Sequence, residues 1–203
     1  MKRLALLILA MLILTPAIMA DNKNKKSDKT EATEDNSEIH WLTLDELQVK
    51  MKESPRKVYI DVYTDWCGWC KRMEATTFHN PQVIKYMNEN FYCVRLNAER
   101  KDTVRFVGKS YYFDPQYRAN TLAVALMQGK MSYPTSIIME DHFQSATPIP
   151  GYQDVPTMEM IVKYFGSNIY KTQHFDEYQK GFKASWTASA NDKAALNSVP
   201  VAH

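Results

Sequence analysis

The chain has 203 residues, 45% of them hydrophobic, 24% charged and 12% aromatic, enough for one domain with its own core and too few to demand two. That apolar content excludes disorder of the whole chain. The formal charge of +2 comes entirely from Lys2 and Arg3; beyond residue 20 the chain balances 23 basic against 23 acidic residues, which excludes the basic footprint of a nucleic-acid binder.

Lys2 and Arg3, the apolar run from Leu4 to Leu14 and then Thr15-Pro16-Ala17 have the layout of a signal peptide over residues 1–20. The run is shorter than the ~20 residues that a bilayer-spanning helix needs. Cleavage after Ala20 is the preferred reading, with cleavage after Ala17 or an uncleaved anchor as alternatives. No cysteine lies near this boundary, so lipid attachment at a new N-terminal cysteine is excluded. The expected location is outside the cytoplasm, periplasmic or envelope-associated, with membrane contact only if the segment is retained.

Residues 21–37 have no aliphatic side chain larger than Ala32 and read as a flexible polar linker. The fold is expected to start near Ile39, with Ile39-His40-Trp41 as a short strand. Thr43 with Glu46 three residues on is a capping box for a helix to about Lys52. Lys57–Tyr63, rich in β-branched and aromatic residues and broken only by Asp61, suits a central strand covered on both faces. Trp66-Cys67-Gly68-Trp69-Cys70 follows, and the residues after it continue as a helix to about Phe78, placing Cys67 at a helix N-terminus. Asn80-Pro81 starts the next helix, with Val83, Ile84 and Met87 on one face. Tyr92–Asn97 is a strand.

The alternating run from Val104 to Phe113, with Gly108-Lys109 at its middle, reads as a hairpin inserted at about residues 101–118. Leu122 to Met127 make a helix, Ser136–Met139 a strand, Glu140-Asp141 a turn, residues 147–149 a partner strand, and Val155 to Phe165 the last core helix. Strands alternating with helices imply an α/β fold, a mixed central sheet flanked by helices, with an antiparallel final pair. The core domain spans residues 38–169. The spacing of Tyr170, Phe175, Tyr178 and Phe182 predicts one further amphipathic helix in a C-terminal extension, 170–187, before a loose tail, 188–203.

Of three cysteines, two stand three apart, and a four-residue ring removes too little chain entropy to be a staple. Chemistry or metal remains. Cysteines at i and i+3 opening a helix face each other and can close or open with little backbone change. The helix N-terminus favours a thiolate at Cys67, able to lower a cysteine pKa from ~8.5 to roughly 3.5–7.5; Cys70, one turn in, is expected to be more buried. Zinc and a purely structural pair are the alternatives. For zinc the second half-site is missing, since Cys93 stands alone in a strand and His40, His79, His142, His174 and His203 form no close-spaced pair. Cys93 is expected to be buried and inert.

Asp61 to Lys71, with an acid six residues before the first cysteine and a tryptophan directly before it, resembles the active-site segment of the thioredoxin family. Tyr133-Pro134-Thr135 resembles that family's cis-proline loop and Pro150-Gly151-Tyr152 its glycine-containing loop; the likeness covers residues 39–166 and is greatest to exported bacterial proteins with Trp-Cys-Gly-Trp-Cys-Lys. It implies a thioredoxin fold and a thiol–disulfide oxidoreductase acting on protein thiols or disulfides of the cell envelope, with no metal and no cofactor beyond a redox-active Cys67–Cys70 disulfide. Cys67 would be the nucleophile, Cys70 the resolving thiol, Asp61 the buried acid taking its proton, and Pro134 a cis-proline. Asp61 could instead cap a neighbour or face solvent. Trp66, Trp69, Tyr133, Pro134, Gly151 and Tyr152 would form the substrate rim, Trp66 by packing and Trp69 by exposure.

The reading taken is a reductase fed by an unidentified electron partner. Gly68-Trp69 stands where thioredoxin has Gly-Pro, so direction stays open across a family range of about −270 to −120 mV. The insertion either shapes a substrate groove or covers an edge. A second class also fits: a client-binding module whose disulfide is structural.

Overall fold

A computed structural model describes residues 37–188. The expectations for the signal peptide, for the linker up to residue 36 and for the tail from residue 189 lie outside the described residues. Strand β1 is Trp41–Leu42, later than expected because the His40 amide donates to Asn88 Oδ1 (2.9 Å) and not to a strand neighbour. Helix α1, Leu44–Glu53, opens on the predicted capping box: Thr43 Oγ1 accepts from the Glu46 amide at 3.2 Å, and the Glu46 carboxylate accepts from the Thr43 amide at 2.8 Å. Both satisfy donors that the first helical turn leaves unpaired.

Strand β2, Lys57–Tyr63, is central as predicted. Helix α2, Gly68–Ala75, follows it and ends earlier than expected, where Thr76 Oγ1 turns back to the Arg72 carbonyl (2.8 Å) and a 3-10 turn takes over at Thr77–His79. Helix α3, Pro81–Asn90, has the Asn80 cap and the Val83, Ile84, Met87 core face. Strand β3, Phe91–Asn97, completes the first half.

The insertion contains the predicted hairpin, β4 (Val104–Phe106) and β5 (Lys109–Tyr111), turning at Val107 and Gly108, both at positive φ. A second small pair, β6 (Phe113–Asp114) and β7 (Ala119–Asn120), is too short to announce itself by alternation. Helix α4 is Thr121–Leu126, capped by Asn120. Strands β8 (Thr135–Met139) and β9 (Thr147–Pro150) form the expected antiparallel pair, and α5 is Val155–Gly166. The C-terminal helix is shorter than expected: α6 covers only Phe175–Gly181, after a separate 3-10 turn at Ile169–Lys171.

The five-stranded sheet has the order β1-β3-β2-β8-β9; β2 is parallel to β3 and antiparallel to β8. It is the mixed α/β sheet expected of a thioredoxin fold. Alternation along β2 splits the core. Val58, Ile60 and Val62 join α1, α4 and the insertion on one face, while Tyr59 joins Met73 of α2, Val83 and Met87 of α3, and Val162 of α5 on the other. Asp61 has the parity of Tyr59 and therefore lies on the face that α2 covers.

Beyond α6 the chain returns in extended form, and Trp186 is buried against Tyr86, their rings 5.5 Å apart. Glu159 of α5 holds this strap. Its buried carboxylate accepts from the amides of Ser185 and Trp186, both at 2.8 Å, from Ser185 Oγ and from Lys163 Nζ. Burial pushes its pKa up, but these donors together bring it below the ordinary carboxylate range.

Candidate active site

The site is assembled where β2 ends. Thr64 accepts from the Cys67 amide (3.2 Å), closing a turn that carries Asp65 and Trp66 outward and leaves Cys67 as the N-cap of α2. Cys67 and Cys70 are joined in a disulfide, S–S 2.11 Å and Cα–Cα 5.3 Å. The Cys67 sulfur also takes the place of a capping oxygen, accepting from the Cys70 amide at 3.0 Å. No acid lies in the first turn of α2, so its partial positive charge is not offset locally. The two cysteines are 4% and 3% exposed; the expected difference in burial between them is absent, because the bond draws the outer sulfur against the helix.

Asp61 is 1% exposed, neither capping a neighbour nor facing solvent. Burial raises its pKa to about 7, with the Arg95 guanidinium pulling it down and Glu74 pushing it up. Arg95 stands opposite Asp61 in the β2–β3 register, its Nε 3.3 Å from Asp61 Oδ2, and also pairs with Glu74 of α2. Its guanidinium lies over the rings of Tyr63 (4.7 Å) and Trp41 (5.6 Å), which fixes it in place. Asp61 Oδ1 has no hydrogen-bond partner among the described residues. Sequence reasoning missed Arg95 and Glu74. The signal available was a single charge at position 95 in a strand where Phe91, Cys93, Val94 and Leu96 are apolar.

The six residues expected to form a rim meet in pairs, Trp66 with Tyr133, Trp69 with Tyr152 and Pro134 with Gly151. The Tyr133-Pro134 bond is cis, and the Pro134 carbonyl accepts from the Gly151 amide at 2.8 Å, joining the two loops. Gly151 has φ +97°, a conformation that L side chains resist. Trp69, 37% exposed, lies 5.3 Å from Tyr152 and under the Arg72 guanidinium; the Tyr152 hydroxyl is 3.2 Å from Thr76 Oγ1.

The expectation of a packed Trp66 is overturned: its side chain is 64% exposed. The turn after Thr64 aims it outward, where its Nε1 donates to Glu99 (3.0 Å) and its ring meets Tyr133 edge-on at 5.9 Å. Asn97 braces that contact, donating to Asp65 (3.1 Å) while its Oδ1 accepts from the Glu99 amide (2.8 Å).

Cys93 is buried at 1% exposure, and burial pushes its thiol pKa far up, as expected of an inert thiol. Among the described residues no three His, Cys, Asp or Glu side chains cluster as metal ligands. The arrangement provides a dithiol or disulfide at a helix N-terminus, a buried carboxyl near neutrality on the sheet face beneath that helix, and an aromatic rim.

Comparison with known proteins gives short stretches of likeness. Spermatogenesis-associated protein 20 of Mus musculus is 33% identical over 55 residues, 27% of this chain and 7% of that protein. Thiol:disulfide interchange protein DsbD of Escherichia coli K12 is 48% identical over 44 residues, 21% of this chain and 8% of that protein. The matches thus span less than a tenth of either relative's length. Among solved structures, a thioredoxin-fold protein from Helicobacter pylori aligns at 18% identity and TM-score 0.45, over 70% of this chain and 85% of that one. The DsbD C-terminal domain of Neisseria meningitidis aligns at 22% and 0.38, over 63% and 97%. The family model Thioredox_DsbH, described as a protein of unknown function, DUF255, matches residues 23–174, well over half of the 203 residues, and the chain belongs to that thioredoxin-like family.

Proposed function

We propose that the chain is a thiol–disulfide oxidoreductase that reduces protein disulfides in the cell envelope. The observation that carries this reading is the Cys67–Cys70 disulfide at the open N-terminus of α2, preceded by Trp66, whose ring meets Tyr133 of the loop before Pro134. In the reduced protein the Cys67 thiolate attacks one sulfur of a client disulfide. A mixed disulfide forms and the second client sulfur leaves as a thiolate that takes up a proton. Cys70 then loses its proton and attacks the Cys67 sulfur, releasing the first client thiolate and restoring the Cys67–Cys70 bond; two electrons have passed to the client.

Asp61 is assigned the Cys70 proton. A carboxyl near pH 7 is matched to that task, whereas an ordinary carboxylate is too weak a base. The role serves either direction, because the same carboxyl returns the proton to Cys70 when a client thiolate opens the disulfide; the reductive direction is the reading taken, and the redox potential tests it. Trp66, Trp69, Tyr133, Pro134, Gly151 and Tyr152 are assigned to client contact. No cofactor beyond the cysteine pair enters; an envelope electron donor renews the dithiol. Export rests on the signal-like residues 1–20.

The full chain is expected to accelerate dithiothreitol reduction of insulin, and Cys67→Ser to abolish the acceleration; no acceleration over the thiol alone refutes the reading. Equilibration with glutathione fixes direction: a potential near −270 mV supports a reductase, one above about −180 mV an oxidase or isomerase. The low exposure of both sulfurs favours a second reading, a client-binding module with a structural disulfide. Resistance of Cys67 to alkylation after mild reduction, with a potential below about −300 mV, selects it.

A further inference from the structure

Next to Cys67 the surface carries an open groove of about 360 Å³ walled by Trp66, Glu99, Tyr117, Arg118, Met131 and Tyr133, at the lower end of the ~300–1,000 Å³ typical of ligand sites. Four pieces of chain make it: the turn before Cys67, the turn after β3 at Glu99, the insertion, and the loop before Pro134. The insertion's share is held firmly. The Asn120 amide donates to Ala98 O (2.6 Å) and the Thr121 amide to Tyr112 O (2.8 Å). Asp114 Oδ1 accepts from the Gln116 amide (2.8 Å), and the Arg118 amide closes the turn onto Pro115 O (3.3 Å).

Two large rings stand in water on the groove's walls, Trp66 at 64% exposure, held by Glu99, and Tyr117 at 45%, on the turn these bonds fix. The polar groups are unevenly engaged. Glu99 already accepts from Trp66, whereas Arg118 makes no ion pair among the described residues.

We propose that this groove is a specificity pocket for an aromatic side chain close to the reactive cysteine of an extended client. The inference rests on the exchange reading above and adds the substrate class. A client sulfur bonded to Cys67 must pass beside Trp66, its immediate chain neighbour, so residues within one or two positions of the client cysteine reach the groove. Trp66 and Tyr133 stand nearly perpendicular, 85° between planes, which leaves ring faces and edges for a third ring to complete. Arg118 offers a cation to the guest's face, and Met131 a thioether that adapts to its outline. An acidic guest meets Glu99, and an aliphatic one forfeits the ring and cation contacts. The insertion therefore shapes a substrate groove, one of the two roles its sequence left open.

The test uses the full chain, reduced beforehand with dithiothreitol, and short synthetic peptides with one cysteine each, oxidised to homodimers so that either sulfur attacked belongs to the peptide. One peptide has Phe or Trp beside the cysteine, the other Gly. The aromatic homodimer is expected to be reduced in this single turnover with a second-order rate constant about ten-fold higher, the scale of one buried ring contact. The preference should fall toward one in Tyr117→Ala and in Arg118→Gln, chiefly through a higher peptide concentration for half the limiting single-turnover rate. Tyr117 sits at an exposed turn, so the fold tolerates its truncation; the second variant tests the same pocket without removing a ring. Exchange of both homodimers at equal rates, or a preference unchanged in both variants, overturns the inference and leaves the exchange reading standing. Failure to exchange either homodimer removes both.

Discussion

Replacing Asp61 by Asn removes a charge that the fold opposes and so should stabilise the protein, with a pH dependence that identifies the cause. The folded pKa is about 7 against ~3.9 for an unfolded aspartate, roughly three units or about 4 kcal/mol at 1.36 kcal/mol per unit. The sign follows from proton uptake: between these values the folded state binds more protons, so wild-type stability is full below pH ~4 and is lost as pH rises through about 7. Asp61→Asn keeps the neutral shape at every pH. Urea unfolding of the oxidised full chain should show it more stable than wild type by about 4 kcal/mol at pH 8.5 and by only about 1–2 kcal/mol at pH 5, a midpoint shift that differs by roughly 1 M or more between the two conditions. Arg95 keeps Glu74 as a partner in the variant, which limits the loss from leaving it without Asp61. An equal gain at both pH values would falsify the assignment of a near-neutral carboxyl to the floor of the site.

The strap offers a test of opposite sign. Glu159→Ala leaves the amides of Ser185 and Trp186 without their acceptor and should cost about 2–4 kcal/mol, read as a lowered Tm and faster proteolysis after Gly181. Because the folded Glu159 pKa is depressed, the penalty should be full above pH ~4.3 and fade on acidification through the folded value; a penalty that grows on acidification contradicts the mechanism. Gly151→Val places a β-branched residue at φ +97° and should cost about 1–3 kcal/mol, while loosening the Pro134 carbonyl contact and slowing insulin reduction. A variant as stable and active as wild type shows that the contact with the Pro134 carbonyl does not depend on the positive φ at residue 151.

The elements that could be read along the chain are those whose signals are local. The Thr43/Glu46 box, the Asn80-Pro81 start and the cysteine spacing each act within one turn, and each stands where the sequence puts it. What escaped depended on partners far away. Arg95 becomes Asp61's neighbour only through the register of two parallel strands 34 residues apart, and nothing near residue 61 announces that register. The expectation of a packed Trp66 fails for the same reason: the turn after Thr64 aims it outward, and Glu99, 33 residues on and itself set by Asn97, holds it there. The C-terminal helix was overextended because Tyr170 and Phe182 share its spacing, yet both pack on neighbouring rings from outside α6. The strap carries no periodic signal at all: one buried tryptophan and a carboxylate 27 residues earlier define it.

Cys93 has a consequence for how the chain handles electrons. It lies in β3, registered beside Tyr59 of β2 and Trp41 of β1, sealed from water and held as a thiol. A third reactive sulfur would make the tally odd, opening dead-end rearrangements and covalent dimers in any oxidising medium. Walled in by two rings, Cys93 stays out of the exchange proposed above, which leaves Cys67 and Cys70 to carry electrons as a pair.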